Sequence, residues 1–340
     1  MDTKLPSESE ISEATSSLDK LFREMDKVLF GQRALIEATV IGIMARGHIL
    51  LEGLPGLGKT ELVKGLAKAL GLQTRRVQFT PDLLPGDITG NPVLQEVDGR
   101  RQFVFQQGPV FTNILLADEI NRASPKTQSA LLEAMQERRV TAAGESRDLP
   151  DPFFVLATQN PIDLEGTYPL PEAQVDRFLF KINVERNSAE VLSQIVMNRE
   201  MTVEPVVHAV LSALEFANMV HLVRRVFMPD VVAEYIGRLV NATHPGESKA
   251  SAGVRYGASP RAALALASAA KATALRQGRG HASFEDVRSV AHPVLGHRIL
   301  LEHTARLDGK NSRDVIDALL EEVPAQSKDL PGSLASAKIR

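Results

Sequence analysis

The chain has 340 residues, more than a single hydrophobic core usually serves, so two domains are expected. Its net charge of −3 gives no bulk attraction to nucleic acid or to an anionic membrane, and neither is an expected partner. The absence of cysteine excludes disulfides, zinc–thiolate sites and cysteine nucleophiles. The polar, acidic N-terminus lacks the apolar segment of a signal peptide, so a cytoplasmic localisation is expected.

The first two thirds of the chain carry an alternating pattern of helices and strands. Residues 1–16 are rich in Ser and Glu and are predicted to be disordered. Apolar residues at helical spacing predict a helix from Leu18, and a second helix is predicted over residues 33–45. Short apolar runs then predict five strands, at residues 48–51, 76–79, 114–117, 153–157 and 179–182. Apolar runs that alternate with helices indicate a parallel sheet covered on both faces.

Two hairpins interrupt this α/β pattern. Asp98-Gly99 separates two short strands and is typical of a hairpin turn, within an insertion at about residues 81–105. A second hairpin is predicted around Gly144, over about residues 140–149. Both are interpreted as insertions into the core domain.

The strand pattern stops after about residue 199. Four helices are predicted in the remainder, over residues 206–225, 230–241, 260–277 and 283–292. Ser259 and Ser283 are suitable N-caps for the last two. The predicted organisation is therefore an α/β domain over residues 17–205, a helical domain over residues 206–305, and a C-terminal segment over residues 306–340.

The strongest local motif is GLPGLGKT at residues 53–60, which matches G-x-x-x-x-G-K-[ST] between a predicted strand and a predicted helix. In such a loop, backbone N–H groups surround phosphate oxygens at a helix N-terminus. Lys59 is predicted to neutralise the β- and γ-phosphates of ATP, and Thr60 to bind Mg²⁺. The alternative is a glycine-rich turn that matches by chance. The nucleotide-contacting residues are predicted to be Pro55, Gly56, Leu57, Gly58, Lys59, Thr60 and Glu61.

Acidic and amide side chains follow two of the predicted strands. Asp118 and Glu119 end the run ILLADE, at the sheet edge where α/β proteins bind ligands. Asp118 is predicted to hold Mg²⁺ and Glu119 to polarise the attacking water. Asn160 follows the next strand and could orient that water. The alternatives are a solvated strand end for the two acids and an Asn-Pro turn for Asn160.

Three arginines are candidates for stabilising charge on a transferred phosphoryl group. Arg177 precedes a predicted strand, Arg122 follows the two acids, and Arg261 lies in the first turn of a helix. A cation is unfavourable at a helix N-terminus, and a nearby phosphate would explain Arg261. For each arginine, the alternative is an ordinary salt bridge.

Longer strings give the chain a resemblance to the MoxR family of AAA+ ATPases, in the helix-2-insert group. They lie beyond the phosphate-site motifs and cover about residues 25–300. The strings are FGQ at 30–32, FTPDLLPGDITG at 79–90, DEINRASPKTQSALLEAMQE at 118–137, ATQNP at 157–161 and EGTYPLPEAQVDRF at 165–178.

The resemblance implies a fold and a set of roles. The fold is an α/β P-loop NTPase core of the AAA+ type, with a parallel sheet between helices, followed by a small all-helical lid domain. Residues 81–105 would be the helix-2 insert, and residues 140–149 the hairpin before sensor 1. The implied residue roles are sensor 1 for Asn160, the arginine finger acting on a neighbouring subunit for Arg177, sensor 2 for Arg261, and the adenine pocket for Gly31 and Gln32.

The resemblance also implies a ring oligomer, a hexamer, that acts on protein clients, including proteins with von Willebrand factor A domains. The leading hypothesis is an ATPase with ATP and Mg²⁺ as its ligands, coupled to chaperone-like remodelling, maturation or activation of partners. One alternative is a nucleic-acid motor, which Arg100-Arg101 on the insert would favour. Another is the ATPase subunit of a metal chelatase, which shares this architecture.

Overall fold

The computed structural model describes residues 4–54, 56–97, 100–142, 144–161, 167–200, 203 and 205–325. They form two compact units. The first is Glu8–Arg224, and the second contains the chain from Arg225 onwards together with the residues before Glu8.

The first unit has an α/β organisation with two hairpins. Its elements in chain order are α1 (Glu8–Asp26), α2 (Arg33–Met44), β1 (Ile49–Glu52), α3 (Lys59–Ala69), β2 (Thr74–Gln78), α4 (Pro85–Thr89), β3 (Gly90–Val97), β4 (Arg100–Gln107), β5 (Ile114–Asp118), a 3₁₀ turn (Ile120–Arg122), α5 (Pro125–Glu137), β6 (Arg139–Ala142), β7 (Glu145–Asp148), β8 (Phe154–Gln159), α6 (Glu172–Val175), β9 (Phe180–Asn183), α7 (Ala189–Asn198) and α8 (Ala213–Arg225).

The predicted parallel sheet is confirmed, with the strand order β2-β5-β8-β1-β9. β5 and β8 are almost wholly buried, as expected for inner strands covered on both faces. In the register of the sheet, Gln78 of β2 lies opposite Asp118 of β5, and Glu52 of β1 lies opposite Gln159 of β8. The carboxyl ends of these four strands therefore meet at one end of the sheet.

The prediction of disorder for residues 1–16 is wrong from Glu8 onwards, where α1 begins. Ala14 is buried, as are Leu18, Leu21 and Phe22 further along the same helix. The apolar face thus continues ahead of Leu18 through the buried Ala14 and the half-buried Ile11. The Ser- and Glu-rich composition of this stretch describes the solvent-facing side of the helix.

Both predicted hairpins are present as antiparallel strand pairs. β3 and β4 are paired along their whole length, from Gly90 opposite Gln107 to Val97 opposite Arg100. The predicted Asp98-Gly99 turn lies outside the described residues. β6 and β7 form the second hairpin. The short helix α4, which precedes the first hairpin, was not predicted.

The end of the first unit differs from the prediction. Residues 206–212 were expected to be helical, but α8 begins only at Ala213. Before it, the N–H groups of Val210 and Leu211 both donate to the carbonyl of Ala69 at the end of α3. This segment is extended because it packs on the first unit. The boundary between the units consequently follows Arg224 rather than residue 205.

The second unit is mainly helical, as predicted for a lid domain. It contains α9 (Asp230–Ala242), β10 (Val254–Tyr256), α10 (Pro260–Arg276), α11 (Phe284–Leu295), β11 (Leu300–Leu301), α12 (His303–Leu307) and α13 (Ser312–Glu322). It is not all-helical, because β10 and β11 form a small antiparallel pair. α13 lies beyond the expected limit at residue 305, and its apolar residues Val315, Ile316 and Leu319 are buried.

Polar side chains also join the strands at the amino end of the parallel sheet. His48, just before β1, is fully buried, and its Nδ1 accepts the N–H of Val155 at 3.0 Å. Nδ1 is therefore unprotonated, so Nε2 carries the hydrogen and donates to the carbonyl of Met135 at 3.1 Å. Burial lowers the pKa of His48 from 6.5 to about 4.

Candidate active site

A cleft of about 730 Å³ opens at the carboxyl end of the parallel sheet. The β1–α3 loop, the ends of β2, β5 and β8, and the segment around α7 surround it. Most of the predicted nucleotide-site residues line this cleft. They are Gln32, Gly56, Leu57, Gly58, Lys59, Thr60, Glu61, Asp118, Glu119 and Asn160. Pro55, also predicted, lies outside the described residues.

The phosphate loop depends on glycine at two positions. Gly56 and Gly58 have φ angles of +82° and +83°, in the left-handed region that other residues rarely adopt. A Cβ atom on Gly58 would also lie 2.6 Å from Leu29 Cδ2. Gly58 is the N-cap of α3, and no side chain caps this end of the helix. Its first N–H groups and its dipole are therefore suited to bind an anion.

Lys59 is the first residue of α3 and lies in the cleft. Its Nζ donates to the carbonyl of Gly53 at 2.6 Å, so the side chain folds back over its own loop. Burial lowers the pKa of Lys59, while the carboxylates of Asp118, Glu119 and Glu52 oppose that shift. The ammonium group of Lys59 is thus attracted by the nearby carboxylates and lies against the glycine loop.

Thr158 on β8 links the two predicted acids. Its hydroxyl donates to Asp118 Oδ1 at 2.6 Å and accepts the backbone N–H of Glu119 at 2.8 Å. Glu119 has a φ of +56°, a left-handed conformation that costs about 1 kcal/mol or more for a residue with a side chain. The bond from its N–H to Thr158 supports this conformation. The turn directs two consecutive carboxylates into the same cleft.

Basic and amide side chains contact both carboxylates. Arg76 donates to Asp118 Oδ2 through Nη2 at 2.6 Å and Nε at 3.2 Å. Glu119 Oε2 accepts from Gln78 Nε2 at 2.9 Å and from Arg122 Nη1 at 3.1 Å. Arg122 is therefore in an ion pair within its own chain, which is the alternative considered for it in the sequence.

Gln32 lines the cleft, as does Phe30, whereas Gly31 between them does not. A Cβ on Gly31 would lie 2.3 Å from Val191 Cγ2 of α7, so only glycine allows this approach. Gln32 Nε2 donates to Asn187 Oδ1 at 2.8 Å and to the carbonyl of Leu57 at 3.4 Å. Gln32 Oε1 is buried with no hydrogen-bond partner among the described residues. Such an acceptor could take a hydrogen from a ligand amino group.

The structure does not bring every predicted residue to this cleft. Asn160 lines it, but Arg177 does not. Arg177 is half-buried beside α5, where Nη1 donates to the carbonyl of Leu132 at 3.0 Å. Arg261 lies in the other unit, exposed in the first turn of α10.

Several residues that line the cleft were not predicted from the sequence. Arg76 and Gln78 lie on β2, which was interpreted simply as an apolar strand. Their spacing of two places them on one face of the strand and could have identified them. Asn187 and Arg199 flank α7, in a segment without a recognisable motif. Arg199 donates to the carbonyl of Lys27 at 3.2 Å and stacks 5.5 Å from the ring of Phe30.

The residues present fit a magnesium–nucleotide complex. The glycine loop leaves space for phosphate oxygens, since a Cβ on Gly56 would meet nothing within 4 Å. Thr60 and Asp118 offer the hydroxyl and carboxylate oxygens that Mg²⁺ prefers. A phosphate loop and two acids on a parallel sheet, followed by a helical domain, define an ATPase of the AAA+ class.

Comparisons with known proteins agree with this class. The family described as "ATPase family associated with various cellular activities (AAA)" matches residues 48–180, and the AAA lid domain matches residues 246–319. Chaperone MoxR1 of Mycobacterium tuberculosis is 40% identical, over 94% of this chain and 88% of that protein. Protein MoxR of Methylorubrum extorquens is 31% identical, over 96% of this chain and 100% of that protein. The chain belongs to the MoxR family of AAA+ ATPases and is an ATP-hydrolysing enzyme.

A solved structure supports the same fold. The crystal structure of a Cytophaga hutchinsonii protein assigned as an ATPase is 41% identical to this chain. It matches with a TM-score of 0.87, over 94% of this chain and 98% of that one. The predicted fold class and family are thereby confirmed. Within the described residues, no helix combines the length and apolar character needed to cross a bilayer.

Proposed function

We propose that this cleft binds ATP with Mg²⁺ and hydrolyses it, and that the energy released remodels, matures or activates partner proteins. The observation that carries the proposal is the position of Asp118 and Glu119. Thr158 holds both acids at the end of β5, in the cleft that also contains Lys59 and the glycine loop. A metal ligand and a general base are needed side by side for phosphoryl transfer to water.

Each side chain has a separate role in this proposal. Lys59 and the N–H groups at the start of α3 hold the phosphates, and Thr60 and Asp118 hold the metal. When bound, Mg²⁺ neutralises charge on the phosphate oxygens. Glu119 takes up a proton from the attacking water, and Asn160 orients that water. Separately, the backbone at Gly31 and the amide of Gln32 border the adenine.

The proposed arginine finger completes the site from a second subunit. A cation against the developing phosphoryl charge is usual in this chemistry, and Arg177 does not line the cleft of its own chain. We infer that it acts on the nucleotide of a neighbouring subunit. Such a head-to-tail contact closes into a ring, and by family resemblance the ring is a hexamer. Arg261 is proposed to act as sensor 2.

Mixing two inactive variants tests the shared site. Arg177→Ala removes the finger, and Lys59→Ala removes the phosphate-binding cation. In a mixed ring, some interfaces pair an intact Lys59 with an intact Arg177, so ATPase activity should return. The matched control mixes Lys59→Ala with Glu119→Gln. Both of these lie in the cleft of their own chain, so every interface remains defective. If mixed oligomers form and the first mixture stays as inactive as the control, the proposed finger is wrong.

The proposed partners are proteins, and the cytoplasm is the proposed location. One relative is named as a chaperone, which supports clients that are proteins, and family resemblance adds partners with von Willebrand factor A domains. Arg101, one of the two arginines that would favour nucleic acid, lies directly opposite Glu96 in the hairpin, so its charge is partly compensated. Salt-dependent binding of single- and double-stranded DNA would support the motor alternative instead.

A further inference from the structure

Arg76 occupies the carboxylate that the proposed metal needs. Its Nη2 and Nε both reach Asp118 Oδ2, at 2.6 and 3.2 Å. The other oxygen, Oδ1, accepts the hydroxyl of Thr158 at 2.6 Å. Both oxygens of Asp118 therefore have donors. Of the two groups, Thr158 is buried and fixed by its second bond to the Glu119 N–H, whereas Arg76 comes from the neighbouring strand.

The two members of the ion pair differ in exposure. The side chain of Arg76 is 54% exposed and that of Asp118 only 15%. Arg76 can therefore leave the carboxylate for solvent at little expense in hydration, while Asp118 stays in place. Arg76 also lines the cleft, so its guanidinium lies where a bound cation would meet it. Two cations close to one carboxylate repel each other.

We propose that Arg76 is a cationic placeholder: it holds Asp118 in the ligand-free protein and is displaced when Mg²⁺ binds. This inference rests on the proposed metal site at Asp118. In this role Arg76 is a positioning residue. It keeps Asp118 in its metal-binding orientation. Because it must be displaced, it raises the Mg²⁺ concentration that binding requires.

Arg76 also connects the proposed metal ligand Asp118 to the proposed general base Glu119. The same Nη2 of Arg76 donates to Gln78 Oε1 at 3.0 Å, and Gln78 Nε2 donates to Glu119 Oε2 at 2.9 Å. Departure of Arg76 removes the group that fixes the amide of Gln78. Metal binding at one carboxylate thereby loosens a contact to the other.

The competing interpretation is that Arg76 is a phosphate ligand. Arginine binds phosphate well, and Arg76 lies in the same cleft as Lys59. The two roles predict opposite effects on binding. A placeholder weakens metal binding, so its removal strengthens Mg²⁺ affinity. A phosphate ligand strengthens nucleotide binding, so its removal weakens ADP affinity even without metal.

Calorimetric titration of ADP separates these roles without requiring turnover. The affinity for ADP is measured in EDTA and at a series of Mg²⁺ concentrations, which yields the Mg²⁺ affinity of the ADP complex. For Arg76→Gln, we expect Mg²⁺ to bind about 3- to 5-fold more tightly, as for loss of a partly exposed ion pair. ADP affinity in EDTA should not change. Arg76→Lys keeps the charge and should show a smaller gain.

Arg75→Gln is the matched control. Arg75 is exposed on the same strand and points to the opposite face, so its replacement should leave both affinities unchanged. Because Arg76 is about half exposed, its variants should fold, and circular dichroism verifies this. Unchanged or weaker Mg²⁺ binding in Arg76→Gln overturns the proposal. A loss of ADP affinity in EDTA also overturns it, in favour of the phosphate ligand.

Asp118→Asn distinguishes failure of the placeholder from failure of the metal site. If this variant loses the effect of Mg²⁺ on ADP affinity while Arg76→Gln behaves as wild type, the metal site stands and the placeholder is wrong. If Asp118→Asn keeps the full effect of Mg²⁺ on ADP affinity, the metal site is elsewhere. In that case the placeholder role of Arg76 is also wrong.

Discussion

The two ends of the parallel sheet use polar side chains in different ways. At the amino end, His48 is fully buried, and its two ring nitrogens tie the backbones of β8 and α5 to the start of β1. At the carboxyl end, the side chains of Arg76 and Arg122 are 54% and 46% exposed, and they contact the carboxylates of Asp118 and Glu119.

The difference lies in what can replace each contact. The backbone groups that His48 binds lie in the core, where solvent does not compete for them. The carboxylates at the other end are the groups proposed to bind a metal and the attacking water. Their present partners are exchangeable because these are half in solvent. The polar contacts at the amino end of the sheet therefore stabilise the fold. Those at the carboxyl end can be exchanged for contacts to a ligand.

The largest expected effect is on turnover at the carboxyl end. Glu119→Gln removes the charge that takes a proton from water, and we expect the rate of ATP hydrolysis to fall roughly 10²–10⁴-fold. Affinity for ATP with Mg²⁺ should remain close to wild type, because Lys59 and Asp118 are intact. Steady-state hydrolysis and equilibrium binding measure the two quantities separately.

Glu96→Gln on the first hairpin is the control for this change, since it removes an exposed carboxylate outside the cleft. It should behave as wild type in both measurements. If Glu119→Gln lost binding together with turnover, the assignment of metal to Asp118 and proton transfer to Glu119 would be incorrect.

A smaller effect is expected on nucleotide affinity. Lys59→Ala removes charge-assisted bonds to two phosphate groups, and the Kd for ATP should rise by roughly 10²-fold. The free energy of unfolding should change little, because the side chain of Lys59 is half-exposed and its hydrogen bond goes to the carbonyl of Gly53 in its own loop. Lys68→Ala, at the exposed end of the same helix, should leave the Kd unchanged. Near-normal affinity in Lys59→Ala would contradict the phosphate site.

The burial of His48 at the amino end of the parallel sheet predicts that the stability of the protein depends on pH. The pKa of His48 is about 4 in the folded protein and 6.5 when it is unperturbed. Above pH 6.5 both states are neutral and the full stability is present. As pH falls from 6.5 to 4, only the unfolded chain takes up the proton, so the free energy of unfolding decreases, by about 3 kcal/mol in all.

His48→Gln isolates this term, because a glutamine can accept one of the two hydrogen bonds and donate the other but does not titrate. The difference in unfolding free energy between wild type and His48→Gln should therefore shrink or change sign as pH falls through this window. His221→Gln, which replaces an exposed histidine on α8, is the control. A difference that is constant between pH 7 and pH 4.5 would show that His48 is not held neutral.

The features that were predicted from sequence depend on local patterns. The strands β5 and β8 are continuous apolar runs because both of their faces are buried, and the glycine loop has a fixed spacing around Lys59. The residues at which helices begin were less predictable. α1 begins earlier than expected because its apolar face continues through Ile11 and Ala14. α8 begins later because Val210 and Leu211 just before it bond to Ala69, a contact distant in sequence.

The contacts of the two acids could not be predicted, because they depend on the register between strands. Gln78 reaches Glu119 only because Gln78 lies opposite Asp118 when β2 pairs with β5. Nothing within either strand specifies that alignment. Similarly, the partner of Arg122 is decided by the left-handed turn at Glu119. The roles of the site residues stay predictions, those of Asn160, Arg177 and Arg261 included.

The position of β2 in the strand order has a mechanical consequence. In the part of the chain that the structure describes, β2 is the outermost strand on its side of the sheet and pairs with β5 alone. A shift of this strand breaks one ladder of backbone hydrogen bonds, whereas a shift of β5 would break two. Arg76 and Gln78 therefore lie on a strand, β2, that is less restrained by backbone hydrogen bonds than β5, which carries Asp118. β2 is followed in the chain by α4 and the first hairpin, and that hairpin leads into β5, so the insertion is joined at its two ends to the two strands whose side chains meet at Asp118.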